Sequence, residues 1–210
     1  MKKTMKLIGI IAITAVILFS FASCGEESPS SSLAVSGSAP NNEQLYEYDH
    51  DSDAYIESTK NGKIYVKYYS AEEYEIGTVV NGKLSFKLQE APPVEALFLL
   101  EDDVAGLTIS DKNAKMGYVN LYFKDGSESY ELYYDDNTQN IDTEIWYLDR
   151  NVSVTGSHNS DGYDEYTTYI NFNFKKGFNT VYFKRTEDSL TVTTTKPAGA
   201  NLKWVLYSGI

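Results

Sequence analysis

The sequence predicts an all-β protein: an antiparallel β-sandwich of about ten or eleven strands, with two stacked β lobes meeting near residue 138 as the alternative. Three observations point that way. Aromatic residues make up 14% of the chain and eighteen of them are tyrosine, a residue that suits pleated, half-buried surfaces. Apolar and polar residues alternate with a period of two in run after run, and no segment beyond residue 24 carries a long 3.6-residue apolar period. Clusters of Gly, Asn and Asp divide those runs at the spacing of hairpin turns.

At the amino terminus, Lys2, Lys3 and Lys6 precede an apolar run from Leu7 to Phe21 that is too short for a comfortable spanning helix and ends in small residues. That is the pattern of an export signal. The residues that close it, Phe21-Ala22-Ser23-Cys24, resemble the lipobox of bacterial lipoproteins. The resemblance implies that residues 1–23 are a signal peptide, that the Cys24 thiol receives a diacylglyceryl group, and that the new amino terminus can take a further fatty acid such as palmitate. One acyl chain holds a protein at a bilayer only marginally, at about 0.8 kcal/mol per buried CH₂, whereas two or three on one residue anchor it stably. The membrane is thus an expected partner through lipid alone. Gly25 stands where an inner-membrane retention Asp would follow the cysteine, which points to the outer membrane or the cell surface.

Residues 24–44 are rich in Ser, Gly and Pro and show no period, so they are expected to form a flexible tether with a mean reach of about 25 Å. Residues 45–210 are then the all-β domain. Three of the eighteen basic residues lie upstream of Cys24, leaving fifteen against thirty acidic ones, a formal charge of −15 on the mature chain. Such a surface repels nucleic acid and anionic headgroups, which excludes a nucleic-acid role. Cys24 is the single cysteine, so no intramolecular disulfide forms and the core must hold the fold unaided.

Within the domain, Ile64, Val66 and Tyr68 alternate against Tyr65, Lys67 and Tyr69. Asn81-Gly82 between apolar alternations is the strongest hairpin signal, and as a two-residue loop it sets Val79 opposite Leu84 and Gly77 opposite Phe86. Ala96 to Leu100 is continuously apolar and reads as a central strand buried on both faces. The runs 117–124 and 127–134 read as a hairpin about Asp125-Gly126, pairing Val119 with Leu132, Leu121 with Tyr130, Tyr118 with Tyr133 and Asn120 with Glu131. Beyond the acidic segment 135–140, strands are expected over 141–148, 152–155, 163–174, 178–184, 190–195 and 202–207.

The stretches Lys175-Lys176-Gly177-Phe178-Asn179-Thr180-Val181-Tyr182 and Lys203-Trp204-Val205, with the Asn81-Gly82-Lys83-Leu84 hairpin and its following proline loop, are similar to a pattern that recurs in uncharacterised β-rich exported lipoproteins of host-associated bacteria. The resemblance implies an all-β fold and an exported location and brings no activity with it.

No catalytic signature, metal site or cofactor is expected. The only thiol is assigned to lipid, and His50 and His158 fall in polar, loop-like stretches without a paired base. Asp49-His50-Asp51-Ser52-Asp53 places acids at the first, third and fifth positions of a calcium loop, but Ala54 and Lys60 stand where Gly and a bidentate Glu are needed. Looser oxygen-ligand groups are Asn159, Asp161 and Asp164, or Asp135, Asp136 and Asn137. Tyrosines outside the predicted core faces are the feature most open to a functional reading: Tyr118, Tyr122 and Tyr133, beside Asn120 and Glu131, form a candidate flat platform for a sugar ring or a protein partner. The expectation is a lipid-anchored envelope protein that acts as a non-catalytic binding or adhesion module for protein or glycan. A structural or assembly lipoprotein is the alternative, and a carbohydrate-active enzyme the third reading.

Overall fold

The computed structural model describes residues 40–69, 72–88, 91–100, 106–159 and 167–207. Cys24, the signal segment and nearly all of the tether lie outside these residues, as do Asp161 and Asp164. The protein is all-β. Fifteen strands and two one-turn 3₁₀ helices are present, with no α-helix among the described residues.

The first lobe is a closed barrel, not the expected sandwich. Its strands are β1 (Glu43–Asp49), β2 (Ala54–Glu57), β3 (Gly62–Tyr68), β4 (Glu73–Val80) and β5 (Lys83–Phe86), joined by parts of β8 (Lys115–Asp125), β9 (Glu128–Asp135) and β15 (Lys203–Tyr207). Pairing runs β3-β4-β5-β1-β15-β9-β8 and returns from β8 to β3, so seven strands close a ring, with β2 added on β1. Closure removes the free edges that a sandwich would leave. A register shift at Ile64/Tyr65 supplies local twist where β3 meets β4. The last strand lies parallel to the first, Leu45 beside Trp204 and Glu47 beside Leu206. Glu43 and Gln44, assigned to the tether by the sequence, pair with β5 as the first residues of β1.

The second lobe is an open sheet continuing from the same β8: β10 (Ile141–Leu148), β13 (Gly177–Arg185), β14 (Ser189–Thr193), β12 (Thr167–Phe174), β11 (Val152–Asn159) and β7 (Leu107–Ile109), with β6 (Phe98–Leu99) on the opposite side of β8. The pairing of β12 with β14 is parallel, a second departure from a purely antiparallel arrangement.

Each lobe has its own core, and β8 serves both. Val119, Leu121 and Phe123 point into the barrel, while Ala114 and Met116 point into the second core with Tyr118 packed beside them. Because side chains alternate across a strand, odd and even positions of β8 face opposite sides of one continuous sheet. The next strand over repeats the division, with Ile145 in the first core and Trp146 and Leu148 in the second.

The Asn81-Gly82 hairpin has the expected register, Val79 with Leu84 and Gly77 with Phe86. Both loop residues adopt positive φ, 49° and 71°, as a type I′ turn requires. Two local readings differ from the structure. Ala96 to Leu100 is not a central strand: Val94–Ala96 is a 3₁₀ turn and only Phe98–Leu99 pair, with the end of β8. Its apolar run plugs space beside both cores, Ala96 in the first and Leu100 in the second. The β8–β9 register is also two residues away from that expected. The loop is Gly126-Ser127, and Tyr122 opposes Glu131. Gly126 at φ 59° occupies the first loop position, where a type II′ turn takes glycine. A shift of two preserves which face each side chain occupies, so Leu121 and Leu132 still point inward while every cross-strand partner changes.

Candidate functional site

The candidate site lies where β8 exchanges partners. Residues Tyr122 to Asp125 pair with β9, whereas Met116 to Val119 pair with β10, so Asn120 and Leu121 face the crotch between two diverging strands. A 3₁₀ turn at Asn137–Gln139, closed by Asn140 at φ 51°, joins β9 to β10. Below it, Thr143 donates its hydroxyl to the Tyr134 carbonyl at 2.5 Å. The fork opens as a cleft of about 110 Å³ lined by Asn120, Tyr122, Glu131, Tyr133 and Glu144, with Trp204 among its apolar lining residues.

Four of the five residues expected to form a platform therefore share one cleft. Tyr118 does not join them. It pairs with Trp146 on β10 rather than with Tyr133, and its ring packs 5.5 Å from Trp146 and 5.3 Å from Phe98. Its place is in the second core, because the second lobe covers that end of β8. Asn120 opposes Lys67 of β3, and Tyr133 opposes Val205 of β15, so neither of the expected partner pairs forms.

The cleft is anionic and partly desolvated. Tyr133 is 38% exposed and donates its hydroxyl to Glu131. Burial, then that hydrogen bond, raise its phenol above the ordinary value. Burial followed by the Glu131 charge does the same for Tyr122. Glu144, which the sequence reading passed over, accepts a hydrogen bond from Trp146 Nε1 at 2.7 Å. Its carboxyl is pushed up, chiefly by burial and further by Asp142, against the opposing effects of Trp146 and Arg185. Arg185 itself is ion-paired with Asp142. The signal for Glu144 was present in the strand: an acid on the face that also carries Trp146 and Leu148.

The remaining candidates have structural roles. Asp135 is buried and accepts the Tyr55 and Tyr207 hydroxyls at 2.7 and 2.6 Å. Asp136, also buried, accepts from Thr138 N and Oγ1, Gln139 Nε2 and Asn201 N. Protein donors thus occupy the oxygens that a loose cation site would use. Among the described residues no group of three or more His, Cys, Asp or Glu is disposed to hold a metal. His50 is exposed and meets the Tyr48 ring edge-on at 4.9 Å. His158 lies on β11 opposite Thr168 rather than in a loop. Tyr182, in the strand expected over 178–184, is buried.

Comparison with protein-family models, curated protein sequences and solved structures finds no match to this chain.

Proposed function

We propose that this protein is an exported lipoprotein, held at the membrane through Cys24, whose β body is a non-catalytic binding or adhesion module. The observation that supports a binding role is the convergence of Asn120, Tyr122, Glu131 and Tyr133 on one cleft at the strand fork. A tyrosine face beside hydrogen-bonding side chains is the composition that recognises a sugar ring or a protein side chain. The two-lobed body, lifted from the lipid by the residues after Cys24, would present that cleft to protein or glycan at the outer membrane or cell surface.

The size of the cleft favours binding over turnover. About 110 Å³ is well below the roughly 300–1,000 Å³ of sites that enclose a whole small molecule. It takes one ring or one side chain projecting from a larger partner. A glycosidase must embrace the sugars on both sides of the bond it cuts, between two carboxyl groups. Glu131 and Glu144 line the cleft, but it has no room for two rings.

The test is a glycan and matrix-protein array probed with the full chain and with Tyr133→Ala and Glu131→Gln. Saturable binding that both substitutions weaken supports the proposal. Binding that neither alters, or none at micromolar protein, refutes this cleft as the recognition surface. Labelling with a palmitate analogue tests the anchor: Cys24→Ala should lose both label and membrane fractionation. Protease shaving of intact cells distinguishes a displayed module from an assembly lipoprotein facing inward.

A further inference from the structure

A second cavity, far larger than the cleft, lies at one end of the barrel. Ile64, Val66 and Tyr68 form the inward line of β3 and belong to the first core. Tyr74 of β4 opposes Val66, so it shares that inward face, and its ring lies 6.5 Å from that of Tyr68. Val66 and Tyr68 are buried, yet Tyr74 is 49% exposed. Tyr74 is therefore an inward-facing aromatic that extends past the packed core into an open mouth. The cavity there measures about 660 Å³ and is lined by Val66, Tyr68, Tyr74, Ile76, Pro93 and Lys87, a volume within the roughly 300–1,000 Å³ of small-molecule sites, which favour barrel mouths.

Charge decides the class of ligand. Glu75 also lines the mouth, but Lys63 pairs with it at 2.7 Å. Lys87 is exposed and makes no ion pair among the described residues. In a chain of net charge −12, a lysine in the lining of a cavity of mixed polarity offers one positive charge to an anionic group and leaves the side chains of Val66, Tyr68, Ile76 and Pro93 for the rest of the molecule. We propose that the barrel mouth binds a small molecule with an apolar body and a single carboxylate. This site is separate from the strand-fork cleft and stands or falls independently of it.

Equilibrium dialysis of the full chain in detergent, against a detergent-only blank, tests the assignment with 4-phenylbutyrate and its neutral amide as probes. The acid should bind saturably and about fivefold more tightly than the amide, the factor an exposed ion pair supplies. Lys87→Glu should abolish that preference while leaving amide binding in place. Ala91→Trp, an exposed substitution on the cavity wall, should fill the mouth and abolish binding of both probes. Equal affinity for acid and amide, an acid preference that survives Lys87→Glu, unaltered binding to Ala91→Trp, or no saturable binding would each overturn the proposal. A thermal melt of each variant matching the parent confirms that the fold is intact.

Discussion

Replacing Phe123 by alanine tests whether the two lobes are one cooperative unit. Phe123 is fully buried in the first core, with Tyr130 packed against its ring at 6.0 Å. Truncating a buried phenylalanine costs about 3–5 kcal/mol, from lost transfer energy and the cavity left behind. With a urea m-value of about 2 kcal/mol/M, the unfolding midpoint should fall by roughly 2 M. The chain reports on itself, because Trp204 belongs to the first core and Trp146 to the second. Trp146→Phe and Trp204→Phe backgrounds leave one fluorescent reporter each. Phe123 touches only the barrel, yet β8 gives alternate residues to both cores, so the barrel cannot lose that strand without exposing Met116 and Tyr118 as well. Both reporters should therefore shift by the same amount. A fall in the Trp204 midpoint with the Trp146 midpoint unmoved would show that the lobes unfold separately and would refute the shared-strand argument.

Two further predictions concern ionisable groups outside the cleft. Burial alone would raise the Asp136 carboxyl, but donors on Thr138, Asn201 and Gln139 outweigh it and hold the group below its ordinary value. Its contribution to stability is thus complete above the unfolded pKa near 4 and is lost as pH falls through the lower folded value. Asp136→Asn should cost about 2–4 kcal/mol at neutral pH, since an amide NH₂ would face donors, and should flatten the acid limb of a stability–pH profile. An unchanged acid limb would count against that role. At the alkaline end, burial and then Asp135 raise the Tyr55 and Tyr207 phenols, so the stability they contribute is present below about pH 10 and lost as pH rises. Absorbance at about 295 nm should show a set of tyrosines that ionises only with alkaline unfolding. A single smooth titration of all tyrosines on a folded chain would contradict the burial described.

What the sequence disclosed follows the range of each interaction. The Asn81-Gly82 hairpin was legible to the residue because turn chemistry and flanking alternation are both local. The β8–β9 hairpin was legible only as to faces, since either Asp125-Gly126 or Gly126-Ser127 satisfies alternation and glycine permits both. Ala96 to Leu100 misled because a continuous apolar run fits a plug between cores as well as a buried strand. Nothing local announces that β15 lies beside β1 or that β8 turns from one neighbour to another, and the cleft exists only through that exchange. Tyr118 shows the same limit: its face was readable, but the lobe that covers it was not.

The placement of β15 between β1 and β9 also constrains the order in which the protein can mature. The first described strand has its parallel neighbour about 160 residues downstream, so a chain emerging amino terminus first carries an incomplete wall until β15 arrives. Such distant pairing makes for slow acquisition of the native state. Removal of residues 203–207 would leave two raw strand margins, on β1 and β9, open to promiscuous pairing.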